Sequence, residues 1–173
     1  MTSAKSPNRW ERLRLLFFHL SLLLGFPSML EGLERIQELS GNRSPAKGKL
    51  NSSITGRVVT LLSRIYGEQT GRLLRNLAAL HPDVPHMIVR DVYGKIFGRS
   101  GLNLGEREII NITVLAIQKL DKQLFSHLRG AMRAGIKRNE LRELLFLLER
   151  TTKRKYQRAF ELFDDVVSQR KKL

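Results

Sequence analysis

The sequence predicts an all-α protein, and three observations support this fold class. Glycine and proline punctuate the chain of 173 residues at intervals of about one helix length. Apolar residues recur at spacings of three and four positions, which places them on one side of a helix. No stretch of alternating apolar and polar residues is long enough to indicate a β-strand.

The N-terminal part is predicted to be a helical pair followed by a linker. Asn8 and Ser28 each precede a glutamate by three residues, which is the spacing of a capping box at a helix N-terminus. We expect the two helices to form a pair over residues 8–39. Residues 40–53 are small and polar, as in a linker. The remaining segment, residues 54–170, is predicted to be a helical domain.

The apolar segment Leu13–Phe26 follows several basic residues and so imitates a signal peptide. It is shorter than the roughly 20 residues that span a bilayer, and Pro27 follows it directly. The chain contains no cysteine, which fits a reducing compartment. We therefore expect a cytoplasmic protein without membrane contact, and we interpret the sequons at Asn42, Asn51 and Asn111 as chance matches.

After the linker, further helices are predicted from the signals at their ends. Residues 54–80 are predicted to form one long or broken helix that is weakest where Tyr66 precedes a glycine. Pro85 suits the first turn of the next helix, which Gly98 and Gly101 end. Both helices precede the segment that carries the candidate site.

The next two helices are predicted to form an antiparallel hairpin. Asn103 has the residue type and spacing of an N-cap for the first helix, and the chain turns near Leu120. The second helix ends before Gly135, which suits the left-handed position after a helix. A last pair of helices, at about residues 138–148 and 152–168, completes the bundle.

The composition limits the classes of function. Because cysteine is absent, disulfides, thiolate metal sites and cysteine nucleophiles are excluded. The four histidines lack the spacing of metal ligands, so we expect no metal and no cofactor. A formal charge of +15 makes anionic partners relevant. The basic residues are spread along the chain, so a solvated basic face and a surface that binds nucleic acid both remain open.

His127 and Glu108 are the candidate catalytic residues. His127 shares one side of the second hairpin helix with Leu124, Gly130 and Ala131, so its side chain points inward. Glu108 lies in the first turn of the first helix, and an antiparallel hairpin brings the two side chains within about 5 Å in a mostly apolar pocket. A carboxylate beside an imidazole in a dry pocket makes a proton carrier near neutral pH. Alternatively, His127 is a core histidine that bonds to a neighbouring carbonyl.

A sequence motif extends across both helices of the hairpin. It consists of a glycine-rich turn, an Arg-Glu pair on the first helix, and a histidine followed by small residues on the second. Its positions are Gly94, Arg99, Gly101, Leu102, Arg107, Glu108, His127, Ala131, Ala134, Gly135 and Glu140. The motif resembles that of the carboxymuconolactone decarboxylase family, which includes alkyl hydroperoxidase D. The resemblance implies a helical bundle like that of alkyl hydroperoxidase D, with a central antiparallel helix hairpin, in a trimer or hexamer.

Two features differ from the usual pattern of this family. The peroxidase branch has a Cys-x-x-Cys before the histidine, and Leu120 and Gln123 stand at these positions here, so thiol peroxidase chemistry is not expected. Family members usually have a His-x-x-x-x-x-Gly-x-Pro string after the hairpin. In this chain the similar string, His19, Gly25 and Pro27, precedes the hairpin. The chain therefore resembles either the end of one repeat followed by most of another, or a permuted unit of the family.

The resemblance implies a cofactor-free decarboxylase, which is a lyase, or an isomerase that acts on a small carboxylate or lactone. His127 would be its general acid and base, with Glu108 as the orienting partner. Arg99 would hold a substrate carboxylate by paired hydrogen bonds, or would be a structural contact of its turn. Gln123, on the side of His127, would also bind substrate. The alternative function is a non-catalytic one, in which the basic surface binds nucleic acid or an acidic protein.

Overall fold

The computed structural model describes residues 8–41, 62–97 and 99–169. These residues form helices and no strand, so the predicted all-α fold is correct. The elements are α1 (Arg9–Leu39), α2 (62–66), a short 3-10 turn (Gly67–Gln69), α3 (Thr70–Leu80), α4 (Val84–Met87), a π-helix (Ile88–Phe97), α5 (Leu104–Gln118), α6 (Asp121–Arg133), α7 (Arg138–Thr152) and α8 (Gln157–Gln169). Most of the predicted linker, the start of the predicted helix at residues 54–80, and Gly98 lie outside the described residues.

Helix α1 consists of two arms that fold back on each other. Gly25 has φ 80 and ψ 171, which interrupts the helical geometry between residues 9–24 and 26–39. A side chain at Gly32 would collide with the ring of Phe17, because its Cβ would lie 1.9 Å from a ring carbon. The two arms therefore pack closely, and the glycine is needed where the Phe17 ring crosses the second arm.

Only the first of the two predicted N-terminal caps forms. The Oδ1 of Asn8 accepts a hydrogen bond of 3.0 Å from the backbone N–H of Glu11. The predicted cap at Ser28 is wrong, because its hydroxyl donates to the Leu24 carbonyl at 3.2 Å. The second arm begins before Ser28, so this residue lies inside a helix and follows the usual back-bonding pattern of a helical serine.

Within the described part of the chain, α1 is long and apolar enough to cross a membrane by length and composition. In this structure the helix instead lies along α5. The Arg12 guanidinium forms an ion pair with Glu106 near one end of the first arm. Near the other end, the Gln118 side-chain amide donates to the Leu23 carbonyl at 3.1 Å. The first arm therefore runs parallel to α5.

The predicted hairpin of α5 and α6 is present. Asn103 and Glu106 form a full capping box at the start of α5, with reciprocal hydrogen bonds of 2.9 and 2.8 Å. Helix α5 ends at Lys119, which adopts a left-handed conformation with φ 56. This turn reverses the chain, so α6 packs antiparallel against α5 and places the two candidate catalytic residues on facing helices.

Buried apolar side chains of α5 to α8 form the main core. Its largest fully buried members are Ile112, Leu124, Leu128, Leu141 and Leu145. A smaller cluster joins α2 to the π-helix and contains Leu62, Ile65, Tyr93 and Phe97. The candidate site lies where α5 and α6 meet this second cluster.

Two helices differ from the prediction, one in its type and one in the position of its end. The helix that contains Pro85 continues as a π-helix after one turn, and this wider geometry buries Tyr93 and Phe97. Helix α7 extends beyond the predicted end at residue 148, because the chain stays helical until Lys153 adopts a left-handed conformation with φ 56. A left-handed lysine carries no sequence signal comparable to a glycine, so this end could not be located from the sequence.

Candidate functional site

Glu108 and His127 form the centre of the candidate site. The Oε2 of Glu108 lies 2.7 Å from the Nδ1 of His127, so the hairpin brings the two side chains together as the sequence predicts. The Glu108 side chain is completely buried, whereas 16% of the His127 side chain remains exposed. The imidazole is therefore held by a buried carboxyl group on one side and is accessible to small molecules on another.

A chain of polar contacts extends from this pair to α1. The Nδ2 of Asn111 lies 3.2 Å from His127 Nδ1, and its Oδ1 lies 2.9 Å from the Nε2 of His19. His19 is fully buried, and this burial lowers its pKa to about 4. The His19 ring is therefore neutral at physiological pH, although the polar or charged side chains of Asn111, Arg107 and His127 lie near it.

Arg107 ends this chain of contacts. Its Nη1 lies 3.3 Å from the Nδ1 of His19, and its Nη2 donates to the Arg99 carbonyl at 2.6 Å. Burial lowers the pKa of Arg107 to about 10, so the guanidinium is still charged near neutral pH. Its positive charge also lies 5.7 Å from the Phe97 ring centre. The turn before α5 is thus connected to the buried histidine.

Two tyrosines lie near Glu108. The hydroxyl of Tyr93 donates to that of Tyr66 at 3.1 Å. Burial raises the pKa of both phenols, and the negative charge of Glu108 raises it further. Both hydroxyl groups therefore stay protonated and can donate hydrogen bonds at any physiological pH.

The second carboxyl oxygen of Glu108 has no donor. Oε1 is buried, and no group in the described residues forms a hydrogen bond with it. It lies against Gly130, where an added Cβ would come within 3.3 Å of it. A buried acceptor without a partner is uncommon in folded proteins and is found at functional sites. This atom can receive a proton or a hydrogen bond from a ligand.

Arg99 and Gln123 occupy positions outside these contacts. The Nε of Arg99 donates to the Lys95 carbonyl at 3.1 Å, and its guanidinium lies 4.5 Å above the Phe18 ring centre. Gln123 is exposed near the start of α6, one turn before His127. The binding of substrate by these two residues stays a prediction, and for Arg99 the structure gives contacts of the kind expected for a structural residue.

The surroundings of the pair differ from the mostly apolar pocket that we expected. Asn111, His19 and the hydroxyls of Tyr66 and Tyr93 make them polar on two sides. Asn111 could have been found from the sequence, because it lies three residues after Glu108 and so on the same face of the helix. The other three residues come from elements whose packing no local pattern specifies.

The arrangement is suited to moving a proton. No group of three or more metal-binding side chains occurs in the part of the chain that the structure describes. Glu108 and His127 share one hydrogen in their contact, which leaves the Nε2 of His127 to exchange a proton with a ligand. A carboxyl group and an imidazole in this geometry form a general acid–base pair.

The chain is similar to known proteins in the segment that contains this pair. Residues 82–165 match the profile of the carboxymuconolactone decarboxylase family. A 4-carboxymuconolactone decarboxylase from Acinetobacter baylyi is 31% identical over 84 residues, which are 48% of this chain and 63% of that relative.

Another relative is similar over a longer segment. Peroxisomal protein 2 from Schizosaccharomyces pombe is 24% identical over 145 residues, which are 78% of this chain and 66% of that protein. The chain thus spans just under two thirds of the length of each of these curated relatives. No solved structure gives a significant match to the chain.

Proposed function

Because the chain belongs to the carboxymuconolactone decarboxylase family over residues 82–165, we propose that it is a cofactor-free lyase or isomerase for a small carboxylate or lactone. The contact of 2.7 Å between Glu108 and His127 is the observation that carries this proposal. His127 acts as the general acid and base. Glu108 contacts the Nδ1 of the imidazole and orients the ring.

In a decarboxylation, the bond between a substrate carbon and its carboxylate breaks, and carbon dioxide leaves. The electron pair stays on the substrate carbon, where a conjugated lactone carbonyl spreads the charge. His127 donates the proton on Nε2 to this carbon and regains a proton from water. In an isomerisation, the same nitrogen would remove a proton from one carbon and return it to another.

Asn111 is a positioning residue in this proposal. Its amide lies beside the Nδ1 of His127 and is itself held by His19. Because Nδ1 donates its hydrogen to Glu108, the Nδ2 of Asn111 borders the ring as a packing neighbour and limits its rotation. Such orientation of the acid–base group favours proton transfer, because the ring stays in the geometry that the reaction needs.

The first substrate to test is 4-carboxymuconolactone, the compound that the Acinetobacter relative is named for. Release of carbon dioxide would be measured for the wild-type chain and for Glu108→Gln, His127→Gln and Lys122→Gln. Lys122 is exposed on α6 and serves as the control. We expect the first two substitutions to lower the rate by about 100-fold or more and the third to leave it unchanged.

Thermal unfolding of each variant separates a loss of catalysis from a loss of fold. The proposal is wrong if turnover survives His127→Gln, or if the wild-type chain releases no carbon dioxide and isomerises none of a panel of small lactones and carboxylates. We propose a cytoplasmic location, whereas one relative is named as a peroxisomal protein. Fluorescence imaging of the tagged chain distinguishes the two compartments.

The formal charge of +15 favours a second candidate function, in which the basic surface binds nucleic acid or an acidic protein without catalysis. Affinity for duplex DNA should then fall by about 10³ or more between roughly 50 and 200 mM salt. Micromolar binding at physiological salt would support this function. If no binding is seen below about 0.1 mM, the basic residues are a solvated face.

A further inference from the structure

A groove of about 240 Å³ lies between α3 and α6, beside the candidate site. Its polar lining contains guanidinium, carboxamide and hydroxyl groups and no carboxylate. These groups belong to Arg72, Arg129, Arg133, Gln69, Asn76, Ser126 and Tyr66. The groove therefore carries a formal charge of +3 in a concave space with no acidic residue in its lining.

Two of these arginines lack a carboxylate partner. Within the described residues, Arg72 and Arg129 form no ion pair. Other arginines of the described residues do so, namely Arg12, Arg14, Arg35, Arg90 and Arg158. The Arg129 guanidinium lies 6.0 Å from the Phe125 ring centre, so it has a packing contact but no anionic one. Both charges are available to an external anion.

Arg133 is held in place by the backbone of the neighbouring turn. Its Nη1 donates to the Ile65 carbonyl at 2.9 Å. Its guanidinium carbon also lies close to Gly67, within 3.6 Å of the position of an added Cβ. One wall of the groove is thus a fixed positive charge, and a ligand would not have to order this side chain on binding.

We propose that this groove binds a small ligand that carries a phosphoryl group. A phosphate monoester has a charge of about −1.5 to −2 near pH 7 and three acceptor oxygens, whereas a single carboxylate would leave most of the local positive charge uncompensated. Guanidinium groups bind phosphate oxygens through paired hydrogen bonds. Pockets for drug-sized ligands have volumes of about 300–1,000 Å³. The groove has about 240 Å³ and lies below this range, so it suits a smaller molecule that carries a single phosphoryl group.

The groove is distinct from the acid–base pair, although the two are neighbours. Ser126 precedes His127 on α6, but neither His127 nor Glu108 lines the groove. Tyr66 lines the groove and bonds to Tyr93 on its inner side. Binding of the phosphoryl group therefore does not depend on the reaction proposed above, and it should persist in the Glu108→Gln variant.

Isothermal titration of the full chain with phenyl phosphate tests the proposal. We expect Arg72→Gln and Arg129→Gln each to weaken binding by about tenfold or more. Arg75→Gln on α3 and Lys122→Gln on α6 remove the same charge from exposed positions outside the groove, and they should change the affinity by less than about twofold. Thermal unfolding confirms that each variant is folded.

NMR spectroscopy of the wild-type chain tests the same proposal without any substitution. Phenyl phosphate should shift the backbone amide NMR signals of Arg72, Ser126 and Arg129 more than that of Thr152, which lies at the end of α7. Malonate, a dicarboxylate of similar charge, should bind at least about tenfold more weakly than phenyl phosphate.

Four outcomes would overturn the proposal. The first is the absence of binding at about 10 mM phenyl phosphate, and the second is an equal loss of affinity in the groove variants and their controls. The third is an affinity for malonate equal to that for phenyl phosphate. The fourth is displacement of phenyl phosphate by a short DNA duplex. The second outcome would indicate general charge attraction, and the fourth would indicate that the groove binds the backbone of a nucleic acid.

Discussion

His19 orients the side-chain amide of Asn111 across 92 positions of the sequence. The Arg107 guanidinium can only donate, so the Nδ1 of His19 accepts its hydrogen bond at 3.3 Å. The Nε2 of the neutral ring therefore carries the hydrogen and donates it to Asn111 Oδ1 at 2.9 Å. Because the Oδ1 of Asn111 accepts this hydrogen bond, its Nδ2 lies on the side of His127. The position of one hydrogen on α1 thus determines which group approaches the candidate general base.

The burial of His19 predicts a stability that decreases in acid. Burial lowers its pKa from the usual 6.5 to about 4, so between these values the unfolded chain binds a proton that the folded chain does not. The stability contributed by neutral His19 is complete above the unfolded value and is lost as the pH falls towards 4. Between about pH 7 and 4.5 the loss is about 2 kcal/mol.

His19→Gln keeps an N–H donor near the position of Nε2 and does not titrate. Urea unfolding of the wild-type chain and of this variant at the two pH values measures the difference in their pH dependence. We expect the variant to lose less stability in acid than the wild-type chain. Identical pH dependence in both proteins would show that His19 is not buried as a neutral ring.

Replacing Asn111 by leucine should destabilise the fold. The substitution removes the acceptor of the buried His19 Nε2–H and leaves this donor without a partner, whereas the Nδ1 of His127 keeps its contact with Glu108. We expect a loss of about 2–3 kcal/mol in the free energy of unfolding. Thr113→Val on the same helix is the control, because the half-buried Thr113 hydroxyl bonds only to the Ile109 carbonyl at 2.8 Å. Equal losses in the two variants would contradict the role of Asn111.

Gly130→Ala should lower stability although alanine favours helices. The new Cβ would lie 3.1 Å from Ile65 Cγ2 and 3.3 Å from the Glu108 carboxyl carbon, and both contacts are closer than a relaxed core allows. We expect a net loss of about 1 kcal/mol, because the overpacking exceeds the gain in helix propensity. Gly71→Ala meets only the flexible end of Arg75 at 3.4 Å and should be neutral or stabilising. Denaturant midpoints compare the two variants, and the opposite order would refute the close packing at Gly130.

The chain should form an oligomer in solution. Exposed apolar side chains lie along the outer faces of α1 and α7, including Leu24, Phe26, Leu30 and Leu147. Burying such side chains between subunits removes apolar surface from water. Light scattering should therefore give a mass several times the 19.9 kDa of one chain, with a trimer or hexamer expected. A monomer that persists at micromolar concentration would contradict this prediction.

The sequence predicted the hairpin well because local signals define it. Asn103 with Glu106 marks the start of α5, and the small residues after His127 indicate which side of α6 faces inward. These signals, with the helical period, fix the positions of Glu108 and His127 relative to each other. The contact between them could therefore be predicted without knowledge of the rest of the fold.

The remainder of the site depends on packing between distant segments. His19 reaches the hairpin because α1 lies parallel to α5, and Tyr93 lies near Glu108 on a π-helix that packs against α2. Neither arrangement has a local sequence signal, since both follow from how whole helices pack. The left-handed conformation of Lys119, at the turn of the hairpin, also has no local sequence signal.

The donor-free Oε1 of Glu108 implies a trade-off between stability and the proposed activity. A buried acceptor without a partner costs about 1–3 kcal/mol, so the folded chain is less stable than one with a well-packed apolar residue at this position. A selection for heat resistance alone should therefore enrich apolar substitutions at Glu108, such as leucine or methionine. The same substitutions would remove the carboxylate that holds His127. Variants selected only for heat resistance should therefore lose the proposed activity.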